Sequence, residues 1–344
     1  MGRSILPPVL FDRRILWRSG SGKDDGMENR TRSLTESGIL AAVLVVLAIV
    51  AVYVPLLGIV AVLLWPLPAA ILIVRHGLRW GVMSVIVAAL LTAVLIEPTI
   101  GLRLAVAFGP VGLALGTGYR RGHSATRIVT TTMVVSIAAK FAGLAIVFSL
   151  TGMEPFSGQL NAMEESFGQA SAIYQSLGMS EAQIAAARDT FMQNIAMVRL
   201  LLPLVVVTMG LLDTMANFWA LGRLLSRLGQ PVPPLPPFKE WRLPAAFLYI
   251  FGFSLLGMYW GSTRELTLLY QVSLNLNMGT TLAGLIEGAS LYEFVTRRYG
   301  WPRLVTTLAL FFIVFSSFLM PILVFTGLLD TVFDYRKRYW RESK

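Results

Sequence analysis

Long apolar runs recur along almost the whole of this sequence, and they leave one class of fold open. Read between breakers, they cover residues 38–54, 58–74, 80–96, 102–118, 128–150, 196–222, 244–261, 268–295 and 302–329. About 20 apolar residues cross the hydrocarbon core as a helix, which satisfies its own backbone where no water can. Composition agrees. Of 344 residues, 55% are hydrophobic and 14% charged, with a mean hydropathy of +0.67, whereas soluble domains carry about 25% charged residues. The fold class expected is all-α: a polytopic transmembrane helical bundle of eight spans plus a ninth hydrophobic segment. The tight Pro55-Leu56-Leu57-Gly58 turn joins the first two runs, and Pro66 and Pro68 predict a bent second one.

Charge assigns sides. Alternate breaks carry Arg75 and Arg79; Arg120, Arg121 and Arg127; Arg223, Arg227, Lys239 and Arg242; and Arg297, Arg298 and Arg303. The intervening breaks are neutral or acidic, and Glu154 to Asp189 holds five acids and one arginine. The positive-inside rule then puts the N-terminus and the basic loops in the cytoplasm and loop 151–195 outside, for a multi-pass protein of the bacterial cytoplasmic membrane. The net charge of +10 is read as this orientation signal rather than as nucleic-acid binding. The last run, with its basic tail Arg336-Lys337-Arg338, breaks the alternation if it crosses once; a re-entrant turn near Ser316, Ser317 and Pro321 restores it.

The domain organisation expected has four parts. Residues 1–37 form a polar, partly disordered cytoplasmic tail, with Met27 as the natural start; no signal peptide is read in it. Residues 38–228 form a six-span unit, 229–243 a proline-rich cytoplasmic linker, and 244–344 a C-terminal membrane unit with the basic tail. Within the external loop, Leu160, Met163, Phe167, Ala170, Tyr174 and Leu177 make an amphipathic helical stripe. Ser180-Glu181-Ala182-Gln183 reads as a capping box that starts a second helix leading into the sixth span. The linker prolines impose an extended, semi-rigid connector.

Catalytic signatures are sparse. There is no cysteine, and the two histidines, His76 and His123, both stand beside arginines, so neither a metal site nor a cofactor is expected. Nor is an enzyme: P-loop and GxSxG motifs are absent, leaving intramembrane catalysis as the weakest reading. Ionisable residues inside spans default to functional hypotheses, and Lys140, Asp213 and Glu287 form one expected intramembrane charge cluster, either an ion pair fixing the helices or a relay. On the outer side Gln271, Asn275 and Asn277, with Glu97 and Arg103, are expected to read a polar solute or to join helices. Gly112-x-x-x-Gly116, Gly257-x-x-x-Gly261 and Gly284-x-x-x-Gly288 predict close helix contacts. Leu202-Pro203…Gly210-Leu211-Leu212-Asp213 is echoed by Met320-Pro321…Gly327-Leu328-Leu329-Asp330.

Short segments then add up. Arg32-Ser33-Leu34-Thr35-Glu36, Tyr53-Val54-Pro55, Leu67-Pro68 with Arg75-His76-Gly77, Leu235-Pro236-Pro237-Phe238, Leu243-Pro244, and Gly327-Leu328-Leu329-Asp330 with Arg336-Lys337-Arg338 resemble the YybS-type family of bacterial membrane proteins, whose function is not established. The first six spans are also similar in layout to the vitamin-binding S-components of energy-coupling-factor transporters, including a Gly38-x-x-x-Ala42 step. That likeness implies a small-molecule ligand held under the external loop and separate ATPase and coupling membrane subunits as partners. The long external loop and the added C-terminal spans depart from it. A membrane scaffold that docks partners on the proline linker is the alternative.

Overall fold

The structure is a computed structural model that describes residues 25–152 and 156–341. Those residues fold into fourteen α-helices and a short 3-10 turn, with no strand among them. The helices are α1 (Asp25–Tyr53), α2 (Leu57–Leu64), α3 (Pro66–His76), α4 (Leu78–Leu95), α5 (Pro98–Ala107), α6 (Gly109–Arg120), α7 (Ala125–Thr151), α8 (Ser157–Ser176) and α9 (Glu181–Arg227). The linker turn (Phe238–Glu240) is followed by α10 (Ala246–Thr263), α11 (Thr267–Arg298), α12 (Arg303–Phe315), α13 (Leu319–Phe333) and α14 (Tyr335–Arg341).

Six stretches are long and apolar enough to cross a membrane: Ser33–Tyr53, Leu57–His76, Leu78–Leu95, Pro98–Arg120, Ala125–Thr151 and Glu181–Arg227. In none of them is more than half of the apolar window buried inside the protein, so the remaining apolar surface needs lipid. Helices α10 and α11 are not among the six. Helices α12 and α13 qualify only together, and a bend of 105° separates them.

The first half is pinned by its breaks. Pro66 cannot donate to the ladder, so the second run splits into α2 and α3 at Trp65. Fully buried Trp65 donates from Nε1 to the Leu44 carbonyl (3.1 Å) and ties that break to α1. A second break, at Phe108 ahead of Pro110, splits the fourth run into α5 and α6. Residues 25–37 are helical and belong to α1, and Ser33 and Glu36 tie this stretch to the end of α3. Glu36 accepts from Arg75 (3.0 Å) and His76 Nε2 (2.6 Å), and His76 Nδ1 bonds Ser33 Oγ (2.9 Å). Residues 1–24 lie outside the described residues, and so does most of the expectation about the start site.

The three expected glycine pairs sit at the three most extensive helix pairings: α3 with α6, α10 with α11, and α11 with α13. Two positions show why. A Cβ on Gly112 would run into the Pro66 carbonyl, and one on Gly327 into the backbone of Gly284 and Gly288. The 47 residues of α9 span about 70 Å, far more than a hydrocarbon core of about 30 Å. Its N-terminal turns therefore project with α8 as a helical hairpin, started by the expected Ser180–Gln183 capping box. Leu160 of the α8 stripe is buried and Phe167 stacks on Phe191 of α9 (4.7 Å), while Tyr174 and Leu177 at the far end are exposed.

Candidate functional site

Where α7 meets α9, small residues bring the backbones close enough for a buried polar network. Gly210 lies against Ile137, and one turn on Lys140 Nζ reaches Asp213 Oδ2 at 2.7 Å. Spacings of four do the rest, since such residues share a helix face. Ser136, four before Lys140, accepts from Nζ (2.8 Å) and donates to Asp213 Oδ2 (3.0 Å). Asn217, four after Asp213, donates to Oδ1 (2.7 Å) and to the Leu63 carbonyl at the end of α2 (2.8 Å). The Asp213 carboxylate thus has a cation and two neutral donors, the arrangement a buried charge requires.

Above this pair lies a cavity of about 350 Å³, within the usual range for small-molecule sites. Arg103, Ala107 and Phe108 wall it from α5 and its end, and Lys140, Gly143, Leu144 and Val147 from α7. Phe156, Leu160 and Met163 roof it from the α8 hairpin, and Val198, Leu202, Val205, Val206 and Met209 close it from α9. Most of the wall is apolar. Two cations face it: Lys140, whose Nζ sits 4.8 Å from the Phe108 ring centre, and Arg103, which forms no ion pair among the described residues.

The outer amides are not part of it. Gln271, Asn275 and Asn277 were expected with Arg103 and Glu97 at one mouth, but their polar atoms join helices. Pro203 interrupts the hydrogen-bond ladder of α9. The Asn275 carboxamide spans that interruption, donating from Nδ2 to the Leu200 carbonyl (2.7 Å) and accepting the Leu204 amide (2.9 Å) on Oδ1. Gln271 Nε2 approaches the same carbonyl at 3.5 Å, and Asn277 Nδ2 donates to Ser254 Oγ of α10 (3.1 Å). Glu97 stands at the N-cap position of α5, where its side chain makes no capping bond and accepts from Thr99 Oγ1. Of the five residues, only Arg103 lines the cavity.

Glu287 also leaves the cluster it was assigned to. It pairs with Arg336 Nη2 (2.8 Å) and accepts the Leu243 amide (2.9 Å) on its other oxygen. Arg336 Nε reaches Asp330 Oδ2 (2.9 Å), and Nη1 donates to the Lys239 carbonyl (2.6 Å). All three side chains are buried, so the planar guanidinium serves two carboxylates and the linker at once. A fork with five donors can do this; Lys140, already held by Ser136 and Asp213, cannot. Beside this cluster and outside the bundle, Arg242 bonds Asp334 (2.6 Å) and holds its carboxyl well below the usual carboxylate range.

The chain fits the family model described as "Predicted membrane protein (DUF2232)" over residues 42–331. The chain belongs to the DUF2232 family. One relative is "Uncharacterized protein YybS" of Bacillus subtilis (strain 168), 22% identical over 321 residues that make up 90% of this chain and 99% of the relative. No solved structure matches. Within this DUF2232 protein, short segments behind the resemblance meet: Ser33 and Glu36 with Arg75-His76, and Leu243 and Asp330 around Arg336 or its partner Glu287. Ser136, Asn217 and Arg336 were not among the expected site residues. A spacing of four from Lys140 and Asp213 signals the first two; the partner of Arg336 lies 49 positions away, and no local signal marks it.

Proposed function

We propose that this membrane protein is a solute-binding or transport subunit whose ligand lies in the cavity between α5, α7 and α9, under the external hairpin. The observation that carries the reading is that cavity itself, with apolar walls, two cations and a roof supplied by α8. Its position matches the place expected for a ligand in a six-span unit of S-component layout. The Gly38 and Ala42 face of α1 is exposed, and a Cβ on Gly38 would meet nothing within 4 Å, which suits a close-packing partner helix. Transport would then need separate ATPase and coupling subunits, and the chain itself would do no catalysis.

The same reading includes topology. Helices α10 and α11 cross as the seventh and eighth spans, with the N-terminus and the basic loops cytoplasmic in the bacterial inner membrane. Helices α12 and α13 form a re-entrant pair. In support, α12 starts just beyond the C-terminus of α11, while the end of α13 leads to Arg336, which bonds the linker at Lys239. Both ends therefore lie on the linker's side.

Affinity purification of the tagged protein from its native membrane tests the function. An ATPase and a coupling membrane subunit should co-purify in stoichiometric amounts. Recovery of the protein with neither subunit and with no bound small molecule would sink the proposal.

Several linker groups are engaged within the chain. Phe238 and Trp241 carbonyls accept from Ser290 Oγ (2.6 and 3.1 Å), Pro236 O accepts from Trp241 Nε1 (3.0 Å), and Val232 and Leu235 pack on the core. The linker is held to the bundle on one side, while Pro231, Pro234, Pro236 and Pro237 stay exposed on the other.

A further inference from the structure

The walls of the cavity restrict what it can hold. A sugar or other polar solute would leave its hydroxyls against Phe108, Leu144, Leu160 and Val206 without partners, which is costly in an apolar site. A cation would face Arg103 and Lys140. A wholly apolar ligand would leave Lys140 and the exposed Arg103, the two cations lining the cavity, unused. Lys140 is informative in a further way. An ammonium has three N–H donors, and the bonds to Ser136 and Asp213 use two. The third is left for the cavity that Lys140 lines, above the Phe108 ring.

Access points the same way. Met163, Val198 and Met209 stand at the rim with 40%, 36% and 50% exposure. The rim is therefore apolar and exposed, with Met163 on α8 and Val198 and Met209 on α9.

From these features we infer that the cavity binds an amphiphilic anion, with its acidic head between Arg103 and the free N–H of Lys140 and its apolar body against α7 and α9. The inference rests on the reading of the cavity as the ligand site. A carboxylate or a phosphate would satisfy the head, and the source is either a membrane amphiphile or a free acid from the aqueous side.

The test uses the full chain in nanodiscs and measures binding of radiolabelled palmitate, hexadecanol and water-soluble hexanoate. Palmitate should bind saturably and at least about tenfold more tightly than hexadecanol, because hydrogen bonds to charged groups are worth about 1.5–3 kcal/mol. Arg103→Gln should weaken palmitate at least about tenfold and leave hexadecanol unchanged. Leu144→Trp, which fills the cavity without touching the ion pair, should remove saturable palmitate binding. Stronger hexanoate than palmitate binding would assign the ligand to the aqueous side; the reverse assigns it to the bilayer. Equal binding of palmitate and hexadecanol, no saturable binding of either acid, or palmitate binding that survives both Arg103→Gln and Leu144→Trp overturns the inference. None of these results bears on whether ATPase and coupling subunits co-purify, so the two proposals fail separately.

Discussion

Asn275 does for α9 what a backbone amide would do in an unbroken helix. Its carboxamide accepts the Leu204 amide and donates to the Leu200 carbonyl, the two groups astride Pro203. Asn275→Ala leaves both unpaired and should destabilise the protein by about 1–3 kcal/mol. Restoring the helix ladder with Pro203→Ala in the same chain should recover most of that loss. A double-mutant cycle on thermal unfolding in detergent reads both effects, and additive losses would show that the carboxamide has another role. Arg336 carries a heavier duty, since its removal leaves Glu287 and Asp330 buried without a cation. The Arg242–Asp334 pair outside the bundle gives a pH test. Its bond to Arg242 lowers the folded pKa of Asp334, so the stabilisation is complete above the unfolded value of about 3.9 and fades as pH falls toward the folded one. The stability difference between wild type and Asp334→Asn should be flat from about pH 8 to 5 and shrink below about pH 4. A difference that shrank already near neutrality would contradict the assignment.

Two helices repeat one device. In α9 and in α13 a proline near the start of the echoed segment is followed by a glycine at a close crossing, and three residues later by an aspartate that meets a buried cation. Gly210 lies on Ile137 before Asp213 takes Lys140, and Gly327 lies between Gly284 and Gly288 before Asp330 takes Arg336. Close approach is what lets a short aspartate reach its partner. Gly327→Val should therefore separate α13 from α11 and loosen Arg336; a loss of several degrees in Tm with an unchanged far-UV spectrum would show it. Unchanged Tm would mean that the crossing yields easily. This scale also shows what a sequence can reveal. The helices, the Ser180 cap and the glycine contacts were legible because each depends on residues within a turn or two. The Phe108 break was not singled out despite Pro110. The grouping of Glu287 with Lys140 failed because similar depth in a bilayer does not fix which faces meet. Of the two readings of Asn275 and Asn277, solute contact or helix joining, the hydrogen bonds match the second, because amides in lipid satisfy the nearest backbone break or hydroxyl first.

At the scale of the molecule, two buried networks pair a cation with carboxylate, the ones around Arg336 and Lys140. One place, around Arg336, locks the linker, α11 and the C-terminal segment together. The other, around Lys140, ends in a cavity roofed by a hairpin that stands clear of the apolar spans. At the first place the cation is held between two carboxylates, whereas the second opens on a cavity lined by Lys140 and Arg103, and that contrast supports a ligand there. Native mass spectrometry of the protein, extracted from its own membrane, tests this most directly. Wild type should carry a non-covalent adduct that Leu144→Trp loses while remaining folded. A wild-type spectrum free of any adduct, or the same adduct on both proteins, would contradict the account.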